Sequence, residues 1–125
     1  MQHSTRWRSA MAELPTAELR NRVHQVLDPL WMNALDNGGY RESKKRFLLK
    51  TSTRQFQKIA RERVYAWLAE QMWLRPADCH AARFTIDQCH EAISLLENVT
   101  YVEIRKWAQR QKSAQKLARM EARAC

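Results

Sequence analysis

Two adjacent cysteine and histidine pairs, Cys79-His80 and Cys89-His90, are the residues of this chain whose types best suit a chemical site. Thiolates and neutral imidazoles are ligands for zinc, and a structural zinc site needs four ligands. Neighbouring residues rarely reach one metal together, and the Cys-x2-Cys spacing of zinc knuckles does not occur in the sequence. Zinc coordination by Cys79, His80, Cys89 and His90 is therefore the minor alternative, and we predict no metal or other cofactor.

A reactive thiol is a second chemistry that these residues suggest. Cys89 falls in the predicted first turn of a helix, where the helix dipole lowers the pKa of a thiol, and His80 would be its base. The sequence offers no third orienting group, no glycine-rich phosphate loop and no defensible Ser-His-Asp arrangement. We therefore predict that the protein is not an enzyme, and we interpret the Cys-His pairs as part of the joint between two helices.

Basic residues give the stronger functional signal. The 125-residue chain has 22 Lys and Arg against 13 Asp and Glu, a formal charge of +9. Residues 41–63 contain nine basic and two acidic residues, and residues 101–125 contain seven basic and two acidic residues. Residues 64–100 contain two basic and five acidic residues. Two cationic segments thus flank an acidic middle, and this distribution favours an anionic partner such as nucleic acid.

Helical spacing groups the basic side chains that would bind phosphate. Arg54, Lys58 and Arg61 recur at i, i+4 and i+7, which places them on one face of a helix. Phosphate binding needs such Lys and Arg donors on a common surface. The predicted binding residues are Arg41, Lys44, Lys45, Arg46, Lys50, Arg54, Lys58, Arg61, Arg105, Lys112, Lys116, Arg119 and Arg123. The alternative is that each segment is simply a solvated helix face.

The elements that position these residues are predicted to be helices. Two glycines and three prolines are too few for a fold with many tight hairpins. The chain is 45% hydrophobic and has five tryptophans, enough for a buried core. We predict an all-α, single-domain bundle of five to six helices. Residues 1–111 form its core domain, and residues 112–125 form a basic C-terminal helical extension that is free to move or orders on a partner.

Caps and helix breakers mark the first predicted helices. A short helix covers residues 4–15, and Thr16 is predicted to cap a second helix. Asp28-Pro29 then predicts a restart, because Asp is a favourable N-cap and proline is tolerated at the first helical position. The restart would give a third, short helix over residues 30–35.

The longest predicted core helix spans residues 54–73. Its apolar stripe comprises Phe56, Ile59, Ala60, Val64, Trp67, Leu68 and Met72, with Ala69 on the opposite face. Residues 85–88 (TIDQ) and residues 100–103 (TYVE) each match a capping box, in which the first and fourth side chains satisfy backbone N–H groups. These boxes predict the last two helices, the first of which buries Ile86.

The cellular setting follows from hydropathy and cysteine usage. No apolar run approaches the roughly 18 residues that span a bilayer, and the N-terminus lacks the apolar core of a signal peptide. Three cysteines are an odd number, which fits reduced thiols better than a disulfide framework. We therefore predict a cytoplasmic protein with no membrane partner, and the oligomeric state is left open.

Four stretches of the chain form a familiar pattern. They are LPTAELRNRVHQVLDPLW at 14–31, VYAWLAEQM at 64–72, CH at 79–80 and FTIDQCHEAISLL at 84–96. This pattern resembles the C-terminal helical half of a zinc-finger-containing domain of unknown function, found in bacterial, phage and plasmid proteins. The residues that match it are His24, Asp28, Pro29, Leu30, Trp31, Tyr65, Trp67, Leu68, Ala69, Cys79, His80, Phe84 and Cys89.

The chain also departs from that family. It has no Cys-x2-Cys ribbon, so the family's zinc site is not carried over. Its connection over residues 32–63 is much longer and holds the dense basic cluster. The resemblance implies a helical scaffold, in which Cys79, His80 and Cys89 pack and cap helices, and a setting in a mobile genetic element. It implies no activity.

These observations lead to two hypotheses for the function. The first is a small basic helical protein of a mobile genetic element or bacterium that associates with nucleic acid or a nucleoprotein complex. The alternative is a phage- or plasmid-encoded inhibitor of a host protein assembly, for example an anti-CRISPR or anti-restriction protein. Its cations would then occupy an acidic or nucleic-acid-binding groove of that assembly.

Overall fold

The computed structural model describes residues 15–50 and 52–124, and most of these residues are helical. The α-helices are α1 (Thr16–Met32), α2 (Ala34–Asn37), α3 (Glu42–Lys50), α4 (Thr53–Gln71), α5 (Ile86–Glu97) and α6 (Tyr101–Ala124). Two 3-10 turns, Pro76–Asp78 and Ala81–Arg83, lie between α4 and α5. No strand occurs in the described residues, and the predicted all-α fold is confirmed. The helix predicted over residues 4–15 lies outside the described part of the chain.

The hydrophobic core forms where α1 packs against α4 and α5, and α6 packs against α4. Apolar side chains at helical spacing supply it, as the sequence predicts, and burial of each large aliphatic side chain contributes about 1.5–3 kcal/mol. The largest fully buried residues are Leu19, Val23, Leu27, Val64, Leu68, Phe84, Cys89, Ile93 and Ile104. The core thus draws on four helices and on the segment that joins α4 to α5.

Helix α1 continues through Pro29, so the predicted restart at Asp28 is wrong. Pro29 lies near the end of the helix, where its missing N–H removes a single backbone bond. The side chains beside it hold the last turn together. The Trp31 Nε1–H donates a hydrogen bond of 3.0 Å to the Asp28 carboxylate, which also lies 3.9 Å from Nδ1 of His24. Asp28 therefore ties side chains together instead of capping a new helix, and the next short helix, α2, begins only at Ala34.

Three burial predictions differ from the structure. Ala69, predicted to face away from the core, is 2% exposed, because the chain after α4 folds back over the end of that helix. Ile59 and Ile86, predicted to be buried, are 43% and 44% exposed. Ile59 lines a groove between α4 and α6, and Ile86 is the first residue of α5, before the helix turns into the core.

The starts of α5 and α6 follow the predicted caps. The Thr85 hydroxyl accepts a hydrogen bond from the Gln88 N–H at 3.2 Å, and the Thr85 N–H donates to the Gln88 side chain at 2.9 Å. This capping box is confirmed. At the start of α6 the Glu103 N–H donates to the Thr100 hydroxyl at 3.3 Å. Of the helices in the described residues, none combines the length and apolar character needed to cross a membrane.

Helix α6 has a packed first part and an exposed second part. Tyr101 and Ile104 are buried, whereas every residue from Gln109 to Ala124 is exposed. At 1.5 Å per residue the exposed part extends about 24 Å. The helix is continuous across residue 112, where the sequence places the boundary between core and extension.

Candidate functional site

The predicted basic residues of α4 lie together on its solvent face. Arg54, Lys58 and Arg61 are all exposed, at the spacing that puts them on one side of the helix. We call these three residues the α4 cationic face. The ion pairs among the described residues are Lys45–Glu42, Arg75–Asp78 and His24–Asp28. The α4 cationic face therefore has no carboxylate partner in the described part of the chain, and its charge is available to a ligand.

Helix α3 adds a second group of cations next to the first. Its sequence was predicted only to be a basic stretch, and the structure makes it a helix with no buried residue. Arg41, Lys44, Arg46 and Lys50 are exposed, whereas Lys45 is partly covered and pairs with Glu42 at 3.6 Å. Only two residues separate α3 from α4. Lys50 at the end of α3 and Arg54 near the start of α4 are therefore exposed cations only four residues apart in the chain.

The predicted stripe on α6 divides into two parts. Lys112, Lys116, Arg119 and Arg123 are exposed on the projecting part of the helix, and their spacing puts them on one face. Arg105, on the same face, is held by the fold. Its Nε donates a hydrogen bond of 2.7 Å to the Gly38 carbonyl, and its guanidinium lies 5.2 Å from the centre of the Tyr40 ring. Arg105 thus anchors α6 to the turn before α3.

Arg63 is a basic residue of the same segment that also serves the fold. Its Nη1 donates hydrogen bonds to the hydroxyls of Tyr40 and Tyr101, at 3.4 and 3.3 Å. Burial raises the pKa of Tyr101 to about 12. For Arg63, burial alone lowers the pKa, and the contacts with both tyrosines, Tyr101 above all, raise it overall. This cluster ties α4 to α6 and to the segment before α3.

A pocket of about 390 Å³ opens beside the α4 cationic face. It lies between α1, α4 and the two 3-10 turns, at the joint that the first Cys-His pair marks in the sequence. We call it the joint pocket. Its lining residues are His24, Lys58, Arg61, Glu62, Tyr65, Pro76, Cys79, His80, Ala81 and Ala82. Two cations of the predicted basic segment and the predicted Cys79-His80 pair therefore share one cavity.

Aromatic side chains position Arg61 at the edge of the joint pocket. Its guanidinium lies 5.5 Å from the ring centre of Tyr65 and 6.0 Å from that of Trp31. Such cation–π contacts orient a guanidinium without neutralising it. The hydrogen bond from Trp31 to Asp28 fixes the indole in turn. Burial raises the pKa of Tyr65, and Arg61 opposes this shift.

The two cysteines of the Cys-His pairs are both buried thiols. Burial raises the pKa of Cys79 to about 11 and also raises that of Cys89. The thiol alternative expected a lowered pKa for Cys89, and that expectation is wrong, because burial outweighs the lowering effect of the nearby Arg20 charge. Cys89 and His90 do not line the joint pocket. Within residues 15–50 and 52–124, no three His, Cys, Asp or Glu side chains are grouped so that they could hold a metal ion.

Sequence reasoning missed the residues that complete the joint pocket. His24 lines the pocket, and Trp31 lies 6.0 Å from the Arg61 guanidinium outside the lining, only because α1 packs on α4 in a way that the sequence does not specify. The pair Arg61 and Tyr65 is spaced i, i+4 and was visible in the sequence. Comparison of the chain with protein-family models, with curated proteins and with solved structures finds no match.

Proposed function

We propose that the protein binds nucleic acid, alone or within a nucleoprotein complex, and that it acts by binding and not by catalysis. The binding surface consists of the exposed cations of α3 and α4, extended by the basic stripe on α6. The resemblance noted in the sequence supports a setting in a mobile genetic element or bacterium. The proposal also places the protein in the cytoplasm, where nucleic acid is accessible.

One observation carries this proposal. Seven predicted cations, one just before α3 and six within α3 and α4, are exposed and have no carboxylate partner among the described residues: Arg41, Lys44, Arg46, Lys50, Arg54, Lys58 and Arg61. Unpaired like charges in one region repel one another, so they weaken the folded state unless a polyanion offsets them. A phosphate backbone supplies that negative charge and releases counterions on binding.

Fluorescence anisotropy with a labelled DNA duplex, over a series of salt concentrations, tests the proposal. Phosphate contacts by these seven cations contribute about −6 to the slope of log K against log salt, and each α6 cation that also contacts phosphate adds about −0.9. The triple variant Arg54→Gln, Lys58→Gln, Arg61→Gln removes three contacts and should reduce the magnitude of the slope by about 3. Arg22→Gln is the matched control, because Arg22 is exposed on α1 and bonds only to Gln25.

Two results would contradict the proposal. One is the absence of binding to both duplex and single-stranded DNA or RNA at about 50 mM salt, where phosphate contacts are strong. The other is a weakening of binding by the triple variant that, per charge removed, is no larger than the weakening by Arg22→Gln. That result would mean that overall charge, and not the α4 cationic face, determines affinity.

The second candidate is inhibition of a host protein assembly through direct contact. Apolar side chains beside the cations favour it: Phe47 and Leu49 on α3 are 62% and 55% exposed, and Leu117 and Met120 on α6 are 58% and 57% exposed. Protein interfaces combine such apolar contacts with charge. A pull-down from nuclease-treated host lysate should then recover one stoichiometric partner, and Leu117→Ser with Met120→Ser should weaken its capture. Recovery of no stoichiometric partner argues against this candidate.

A further inference from the structure

The joint pocket has the size and lining of a site for one small anionic ligand. Its volume of about 390 Å³ lies at the lower end of the range for small-molecule pockets. Lys58 and Arg61 lie on one wall, and His24 and His80 approach from α1 and the 3-10 segment. Among the described residues, Glu62 is the only carboxylate in the lining. Two fixed positive charges therefore face one negative charge, which leaves the pocket cationic.

Arg61 is held in place before any ligand arrives. The Trp31 and Tyr65 ring centres lie 6.0 and 5.5 Å from its guanidinium, within cation–π range, and Trp31 is itself hydrogen-bonded to Asp28. A planar, oriented guanidinium binds phosphate oxygens through two parallel hydrogen bonds. Preorganisation of this kind reduces the entropy that is lost on binding. Arg61 can therefore bind one phosphate group through directed hydrogen bonds, in addition to attracting a nucleic-acid strand by its charge.

The rest of the pocket wall is largely uncharged. Pro76, Ala81 and Ala82 present apolar surface, and the Cys79 thiol, with its pKa raised to about 11 by burial, carries no charge at neutral pH. This surface suits a sugar or a base face and gives no second anchor for phosphate. The lining thus matches one nucleotide unit, with its phosphate toward Lys58 and Arg61 and its nucleoside toward the 3-10 segment.

We infer that the joint pocket accepts a single phosphorylated nucleotide, either the phosphorylated end of a strand or a free mononucleotide. As a strand-end site, this inference rests on the proposed nucleic-acid binding and makes the protein a reader of terminal phosphates. As a mononucleotide site, it stands apart from that proposal. Both ligands share the chemistry of a phosphate ester attached to a nucleoside.

The test compares single-stranded oligonucleotides of one sequence with a 5′-phosphate, with a 3′-phosphate and with hydroxyls at both ends. We expect one phosphorylated form to bind about tenfold more tightly than the hydroxyl form, as charge-assisted hydrogen bonds predict. Arg61→Gln should abolish this preference, and Arg61→Lys, which keeps the charge but loses the stacked plane, should retain part of it. Arg54→Gln is the control, because Arg54 belongs to the α4 cationic face but does not line the pocket.

A titration of adenosine monophosphate, followed by intrinsic tryptophan fluorescence and repeated in Trp31→Phe to isolate the Trp31 signal, distinguishes the two ligands. Binding of the mononucleotide without preference for phosphorylated ends supports a free nucleotide as the ligand. Equal binding of all three oligonucleotides, together with no response to the mononucleotide, would overturn the inference and leave general nucleic-acid binding intact. If no oligonucleotide binds at low salt but the mononucleotide does, the proposed function fails and the pocket assignment stands.

Discussion

Replacing Trp73 with glycine should stabilise the protein. Trp73 follows the last turn of α4 with a φ of 56°, and it is the only non-glycine residue with positive φ among residues 15–50 and 52–124. The Leu74 N–H bonds to the Ala69 carbonyl at 2.9 Å, and the Trp73 N–H bonds to the Glu70 carbonyl at 3.2 Å. This is the Schellman arrangement, whose left-handed position glycine normally occupies.

The magnitude follows from the conformation and the exposure of Trp73. A left-handed conformation costs an L-residue roughly 1–2 kcal/mol, and glycine avoids that cost. Glycine gains more freedom in the unfolded chain, which offsets roughly 0.5–1 kcal/mol of the benefit. The indole is 94% exposed, so its removal forfeits almost no buried surface. The net gain in the free energy of unfolding is about 0.5–1 kcal/mol, or a few degrees in Tm for a chain of this size.

Urea denaturation followed by circular dichroism at 222 nm measures the effect without relying on tryptophan emission. Trp73→Ala keeps the positive φ and removes the indole, so its free energy of unfolding should stay within about 0.5 kcal/mol of the parent value. Trp73→Asn should fall between alanine and glycine, because asparagine tolerates the left-handed region. A glycine variant that is less stable than the alanine variant would refute the reasoning, since relief of backbone strain could not then be the main effect.

Three further predictions concern Tyr101, Arg105 and α6. Burial raises the pKa of folded Tyr101 from 10 to about 12, so its stabilising effect is complete below pH 10 and is lost between pH 10 and 12. The stability difference between parent and Tyr101→Phe, measured by urea titration, should shrink over that range; a constant difference would contradict this. Arg105→Ala should destabilise the fold by about 1–2 kcal/mol, because it removes the bond to Gly38 and the contact with Tyr40, whereas Lys112→Ala should not. Deleting residues 112–125 should reduce helical ellipticity but change Tm little, because residues 112–124 are exposed; a drop of many degrees would show that the extension packs on the core.

Much of the fold could be predicted from local pattern. The capping box at Thr85 and most of the buried stripe of α4 depend on residues close together in sequence. The predicted restart at Asp28 is wrong because tertiary packing, and not the local sequence, determines where α1 ends. An Asp-Pro pair favours a new helix locally, but burial of Leu27 and the Asp28–Trp31 hydrogen bond extend α1 past the proline. Tertiary packing overrides such local preferences.

The candidate site also has one part that local sequence predicts and one part that depends on tertiary packing. The i, i+4, i+7 spacing of Arg54, Lys58 and Arg61 is a local property, and the structure shows all three exposed as expected. The joint pocket is a tertiary property. His24 and Pro76 line the same cavity only because α1 and the 3-10 segment pack on the same side of α4. Residue spacing does not predict how helices pack, so the cations could be predicted from the sequence but the cavity beside them could not.

The basic residues play two physical roles that a count of net charge does not separate. Arg20, Arg63 and Arg105 each donate to a carbonyl or hydroxyl oxygen within the fold, at 3.0, 3.3 and 2.7 Å respectively. Those acceptors are neutral, so the three guanidiniums keep their charge and add to the long-range field, but each already uses at least one of its N–H donors within the fold. The association rate should therefore respond to the total positive charge, whereas the salt slope should count only the exposed cations of α3, α4 and α6.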